Sequence, residues 1–175
     1  AASDVYKRQF LFDGEGTPRK AVDLIDRGTL TGPVTDSRWA KELGRENTGH
    51  AQPQPSEYGP MAANLYVSPG NESLDQMIAG VERGLLISQF HYTNMIEPKD
   101  LTLTGMTRNG TFLIENGEVT GAVRNLRFTE TLVNALSRTT ALGRDLEVAG
   151  ALFDGEIVCP PMRIERFRFT STTEF

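Results

Sequence analysis

The chain carries one cysteine, Cys159, in 175 residues. That excludes an intramolecular disulfide and any thiol pair for redox exchange, so a reducing, cytoplasmic compartment is expected. No apolar run approaches the roughly 20 residues needed to cross a bilayer, and no membrane attachment is expected. Positive charge is also scarce: 18 Lys and Arg stand against 23 Asp and Glu, a formal net charge of -5. Such a surface does not broadly attract a phosphate backbone, so direct nucleic-acid binding is not expected, apart from a local basic strip. The patterns HExxH, GxxxxGK(S/T), CxxC and GxSxG are all absent, and only two histidines, His50 and His91, are present. No complete catalytic or metal-ligating constellation is therefore written in the chain. The opening AASDVYKRQ lacks both a starting Met and the apolar core of a signal peptide. Residues 1–9 are expected to be a foreign or disordered leader ahead of one domain, 10–170, truncated on its N-terminal side.

What is present suits a packed domain. The hydrophobic fraction is 38%, with nine Phe, four Tyr and one Trp to fill the space between a sheet and a few helices. The most ordered pattern is Gly84–Val123, four or five short strand-like segments with turn residues between them. Within it Asn116-Gly117 supplies the positive-φ pair of a two-residue hairpin. Before it, Phe10–Phe12 with the Asp13–Gly16 turn and Lys20–Ile25, then Arg27-Gly28 and Thr29–Thr35, read as two small ribbons. Ser37–Leu43 reads as a short helix stopped by Gly44, with Trp39 and Leu43 on a buried face. Gly44–Pro60, rich in Pro and Gly, reads as a long loop that either covers a cleft or subunit contact or simply wraps the surface. His50 inside it has the chemistry of a base or ligand, without a partner nearby in sequence.

Two helices are expected to dominate. Leu74, Met77, Ile78 and Val81 recur at helical spacing, Ser73 and Gln76 form a capping box, and Gly84 stops a helix over Ser73–Arg83. Leu132, Val133, Leu136 and Thr140 share one face of a second helix over Glu130–Leu142, stopped by Gly143. The tail returns to strands at Leu146–Leu152, Ile157–Cys159 and Met162–Thr170, with a turn at Phe153–Glu156. In the last of these Ile164, Phe167 and Phe169 add apolar bulk beside Arg163, Arg166 and Arg168. Alternation of period-two strands with two capped helices predicts an α+β, β-rich fold: a curved, mainly antiparallel sheet or barrel-like core with two main helices.

Phe90-His91-Tyr92-Thr93 is the most suggestive cluster. On a regular strand His91 and Thr93 face one way and Phe90 and Tyr92 the other, so an imidazole and a hydroxyl would line a groove. Both hydrogen-bond a peptide main chain, and His91, Tyr92 and Thr93 are the candidate substrate-binding residues. No catalytic residue and no metal ligand is assigned. Cys159 is followed by Pro160-Pro161, away from any helix N-terminus, and reads as a buried thiol.

Ser68–Ile87 (SPGNESLDQMIAGVERGLLI), Phe90–Asn94 (FHYTN) and Thr104–Phe128 (TGMTRNGTFLIENGEVTGAVRNLRF) together resemble the C-terminal domain of the TldD/PmbA family, also labelled modulator of DNA gyrase and peptidase U62. Leu142–Asp145 fits as well, and the resemblance extends over Phe10–Phe169. It implies a β-rich domain of a two-domain, dimeric protein that in its TldD-type members hydrolyses peptides with a metal, zinc. There the metal polarises the peptide carbonyl and activates water, and a glutamate takes the proton. The family's ligands come from an HExxxH helix, absent here, and from a cysteine expected near Ala149-Gly150, so Cys159 does not inherit that role. Two readings follow. The chain is a fragment of a TldD/PmbA-like metallopeptidase, inactive alone, or it belongs to a metal-free, PmbA-like partner or peptide-binding and assembly module. Peptide substrate and a homodimer or a heterodimer with a related subunit are the implied partners.

Overall fold

The structure is a computed structural model that describes residues 11–152 and 155–172. The expected leader over residues 1–9 and part of the Phe153–Glu156 turn lie outside the described residues. The chain divides into two compact units, Ala1–Val67 with Val148–Val158, and Ser68–Glu147 with Cys159–Phe175.

The first unit is built from short pieces. Strands β1 (Ile25–Asp26) and β2 (Thr29–Leu30) pair antiparallel across Arg27-Gly28, whose φ values of 47° and 81° are those of a primed hairpin turn. Helix α1 (Ser37–Leu43) starts where the Asp36 carboxylate accepts from the Trp39 N–H and ends at Gly44 in the left-handed region. Its buried residue is Ala40, while Trp39 and Leu43, expected on the buried face, are 37% and 45% exposed. Strand β3 (Leu65–Tyr66) lies parallel to a later strand, β10 (Gly155–Cys159), with β9 (Glu147–Leu152) on the other side of β10.

The second unit carries the main sheet. Strands β4 (Arg83–Glu97) and β5 (Thr102–Glu115) form one hairpin of 15 and 14 residues, not the four or five short segments expected. β5 also pairs with β6 (Glu118–Ala122) across Asn116-Gly117 and with β7 (Leu126–Thr131), and β7 pairs with β12 (Phe169–Thr172), all antiparallel. Strand β8 (Thr139–Leu142) pairs separately with β11 (Met162–Ile164). The path β12-β7-β5-β4 is open at both ends among the described residues, so no barrel closes.

The two expected helices are much shorter than their hydrophobic periodicity. Helix α2 spans Leu74–Ala79 behind the Ser73/Gln76 capping box, not Ser73–Arg83. It stops because the next carbonyls serve the β5–β6 turn: Gly117 N–H donates to Val81 O at 2.9 Å and Asn116 N–H to Glu82 O at 2.7 Å. Helix α3 spans Leu132–Ser137, not Glu130–Leu142. Glu130 still belongs to β7, and Thr139–Leu142 leaves the helix for the β8–β11 ladder, where β-branched threonines fit a pleated surface better. Leu132, Val133 and Leu136 are 40%, 59% and 42% exposed, so the face expected to be buried is open, and Ala135 is the buried residue. Among the described residues the longest helix is α1, at seven residues. The architecture is an α+β fold of mixed antiparallel and parallel sheets, and among the described residues the expected barrel-like core with two main helices is not formed.

Candidate functional site

The long hairpin fails to keep register at three places, and each break places side chains that regular pleating would not. Between the pairs Ile87↔Thr111 and Gln89↔Arg108, the single Ser88 faces Asn109 and Gly110. Between His91↔Met106 and Asn94↔Thr104, Tyr92 and Thr93 face the single Gly105. The third break lies at Ile96. Asn109 shapes the first of these breaks, with φ 59° and an Nδ2 that donates to Gln89 Oε1 at 2.6 Å.

The bulge at Tyr92-Thr93 holds the candidate substrate-binding residues. Tyr92 sits at φ 48°, a left-handed conformation uncommon for a bulky residue, and Asn94 Nδ2 clamps it by donating to Tyr92 O at 3.0 Å. Its ring is 69% exposed and lies 4.3 Å from the His91 ring, centroid to centroid, at 57°. His91 and Tyr92 are therefore side by side, not on opposite faces as a regular strand would have them. Thr93 turns elsewhere: its Oγ1 would lie 3.1 Å from a Cβ added at Gly105. Phe90 packs away from the pair, with Phe128 at 4.7 Å and Phe167 at 5.4 Å, and Phe169 continues the cluster 5.3 Å from Phe167. The result is an imidazole–phenol platform, half-buried at His91 and exposed at Tyr92, on a 15-residue strand that stands at the end of the sheet path.

The other candidates, His50 in the first unit and Cys159 in the second, each have surroundings of their own. His50 belongs to the first unit, where it is 9% exposed and its Nδ1 lies 3.0 Å from Thr48 Oγ1. The Thr48 hydroxyl is also within reach of Thr35 O, at 3.0 Å, so the ring nitrogen shares it with the backbone. Burial holds His50 below the ordinary imidazole range and Arg19 acts the same way, against a hydrogen bond at the Thr48 backbone and the Asp13 carboxylate. Burial, with Glu147 adding to it, pushes the Cys159 thiol up, away from thiolate. Among the described residues no three His, Cys, Asp or Glu groups converge to hold a metal ion. Among the described residues the nitrogen and sulfur donors, one engaged imidazole, one half-buried imidazole beside Tyr92 and one neutral thiol, do not fit a zinc site. A cavity of about 270 Å³ in the first unit is lined by Val22, Pro33, Thr35, Arg45 and Thr48 among others, and holds none of the predicted site residues.

Sequence reasoning read Asp13 only as the start of a turn; the residue is 9% exposed, its Oδ1 accepts from the N–H groups of Glu15 and Thr17, and its Oδ2 accepts from Ala51 N–H at 2.9 Å. Burial alone would raise its pKa, but those three N–H groups and Arg19 outweigh it and hold the carboxyl below its usual range. The readable signal was the Asp-Gly step itself, since aspartate at a turn accepts from the backbone two residues on.

Comparison with known proteins settles the family. The profile of the PmbA/TldA metallopeptidase C-terminal domain matches residues 6–171. The chain belongs to this family. It is 26% identical over 155 residues to the metalloprotease PmbA of Escherichia coli O157:H7, covering 87% of this chain and 32% of that protein. It is 26% identical over 145 residues to a zinc metalloprotease TldD homolog of Saccharolobus solfataricus, covering 77% and 30%. The crystal structure of TldE from Thermococcus kodakarensis superposes with a TM-score of 0.75 at 24% identity, over 91% of this chain and 36% of that one. At that identity the likeness shows the fold alone. The chain spans about a third of the length of these relatives. No helix among the described residues is long and apolar enough to cross a membrane.

Proposed function

We propose that this TldD/PmbA-family chain acts as a holding and assembly domain, a metal-free partner module that grips an extended peptide and joins a related subunit, and that it supplies no hydrolytic centre of its own. The observation that supports this is how each ligating group is already engaged: His50 is buried against Thr48, the His91 ring lies tilted against Tyr92, and burial holds Cys159 as a thiol. His91, Tyr92 and Thr93 are the proposed peptide contacts, the aromatic pair as a platform and the threonine through its place beside Gly105. A reducing cytoplasmic setting suits the lone cysteine.

The test is titration of the purified chain with a fluorescently labelled extended peptide, with zinc content measured by elemental analysis. Peptide binding without cleavage, at less than one zinc per chain, is expected. Stoichiometric zinc retained by the chain, or cleavage lost on chelation, overturns the reading. A second reading draws on the metalloprotease names of the relatives: a segment of a zinc peptidase whose ligands lie elsewhere in the protein. A parental sequence that encodes HExxxH would favour it.

A further inference from the structure

Residues 44–61 of the first unit are fastened around His50, and every fastening is a hydrogen bond or a close contact within that unit. His50 N–H donates to Thr35 O at 3.2 Å, and Met61 N–H donates to His50 O at 3.0 Å. The next residue, Ala51, is 1% exposed; its N–H donates to Asp13 Oδ2 at 2.9 Å and its carbonyl accepts from Gly14 N–H at 3.0 Å. Further along, Gly59 lies under Trp39, so close that an added Cβ would sit 3.1 Å from the indole Nε1. Gln52 Nε2 braces that stretch by donating to Gly59 O at 2.8 Å.

The ring at the centre of this arrangement is neutral for structural reasons. Thr35 and Thr48 are mutually bonded, Thr48 N–H to Thr35 Oγ1 at 3.0 Å and Thr35 N–H to Thr48 Oγ1 at 2.7 Å, and the Thr35 hydroxyl donates to Glu46 O at 2.6 Å. Thr48 Oγ1, 3.0 Å from His50 Nδ1, is thus already engaged by Thr35 through its N–H, its carbonyl and its hydroxyl, a network that satisfies the ring without a charge. A second ring proton adds a full charge in a buried place, where the facing charged groups are Arg19, which repels it, and Asp13, whose oxygens are already committed to three backbone N–H groups. The Lys20–Glu46 ion pair lies beyond Thr48 and is occupied with itself.

We propose that residues 44–61 form an acid-released strap, in which protonation of His50 drives the His50-Ala51 step off Asp13 and Gly14 and uncovers the indole edge of Trp39 that Gly59 meets. Below the ordinary imidazole pKa of 6.5 the opened form gains population, by about tenfold per pH unit until the lower pKa of the closed form is reached. Asp13 does not produce this transition, because its carboxyl titrates below 3.8.

Trp39 is the single tryptophan, and His50 and His91 are the only histidines, so the 175-residue chain contains its own probe and its own control. Tryptophan emission followed from about pH 8 to about pH 5 is expected to shift red in one reversible step centred below 6.5, with far-UV circular dichroism unchanged. His50→Gln, which can still hydrogen-bond Thr48 and cannot charge, should lose the step, and His91→Gln should keep it. Absence of the step in the wild type, its survival in His50→Gln, or its loss in His91→Gln overturns the proposal. Should His50→Gln fail to fold, ring-proton NMR of the wild type decides: the imidazole that titrates with the Trp39 signals must share their midpoint, and a different midpoint overturns the strap.

Discussion

Thr111 Oγ1 lies 2.7 Å from Thr107 Oγ1, although the two residues are four apart on one strand, where regular pleating would separate their Cα atoms by about 13 Å. The Asn109-Gly110 bulge folds β5 back between them. Gly110 has φ 139°, and a Cβ there would lie 2.5 Å from Ser88 Oγ, so only glycine passes. Both threonines are buried, at 0% and 2% exposure, and their hydroxyls converge on Asn125 Oδ1.

Thr107 should be the costlier position of the two. It accepts from Leu126 N–H at 2.9 Å as well as from the Thr111 hydroxyl, so Thr107→Val orphans the Leu126 N–H and leaves the Thr111 hydroxyl only its longer contact to Asn125 Oδ1, at about 1–3 kcal/mol. Thr111→Val removes one donor and leaves Leu126 paired, at about 0.5–1.5 kcal/mol. Urea denaturation of both variants measures this, and equal or reversed costs would refute the role given to Thr107.

Gly105 and Gly121 should answer alanine in opposite directions. A Cβ at Gly105 would lie 2.7 Å from Phe128 Cζ, and Phe128 is 3% exposed and fixed between Phe90 and Phe167. Gly105→Ala is expected to cost about 1–3 kcal/mol by overpacking. Gly121 has nothing within 4 Å, so Gly121→Ala should be neutral or stabilising by up to about 1 kcal/mol. Thermal midpoints of the pair check the contrast.

Glu130 ties the end of β7 to the segment before β12. Its carboxylate is 6% exposed, accepts from Thr131 N–H at 2.9 Å and Arg168 N–H at 3.2 Å, and lies 3.5 Å from Arg138 Nη1. Glu130→Ala strands those partners and should cost about 1–3 kcal/mol, whereas Arg138→Ala, at a side chain 39% exposed, should cost less. Hydrogen exchange at the Arg168 amide distinguishes a local release from a general loss, and unchanged protection there would contradict the tie.

Acid stability should report Asp13 in its own window. Its folded pKa lies below the usual 3.8, so its contribution is complete above that value and is lost as pH falls through the lower folded pKa. Asp13→Asn should therefore be less stable than wild type at neutral pH, by about 1.5–3 kcal/mol for the charge-assisted bonds, and the two should converge in strong acid. A gap that persists undiminished at low pH would mean that shape, not charge, holds the Asp13 turn.

Local chemistry was legible where neighbours in sequence do the work. The Ser73/Gln76 box, the Gly44 stop, the Arg27-Gly28 turn and the Asn116-Gly117 turn form as their residues demand. Helix length was not legible, because carbonyls at Val81 and Glu82 are taken by a turn some 35 residues on, and Thr139–Leu142 by the β8–β11 ladder. Apolar periodicity at Leu132, Val133 and Leu136 carries no information on whether anything covers that face. At the candidate site, alternation placed His91 and Tyr92 on opposite faces, and a bulge brings their rings together. Nothing in FHYTN announces that bulge; its cause lies across the hairpin, where Gly105 leaves room for two residues against one.

That bulge yields the sharpest test of the proposed peptide platform, because stability and binding should part company at Tyr92. The residue holds a left-handed backbone that costs about 1–2 kcal/mol for a side chain with a Cβ, and its ring, 69% exposed, returns little burial. Tyr92→Gly relieves that strain at the expense of about 0.5–1 kcal/mol of chain entropy, so the thermal midpoint should hold or rise. If the His91–Tyr92 pair grips the peptide, the same change should weaken binding of the labelled peptide by about tenfold, the loss of one stacked aromatic contact. A strained residue retained for folding would behave in the opposite way, with Tyr92→Gly lowering the midpoint and leaving affinity untouched. Thermal melts and fluorescence anisotropy on the same preparation separate the two outcomes.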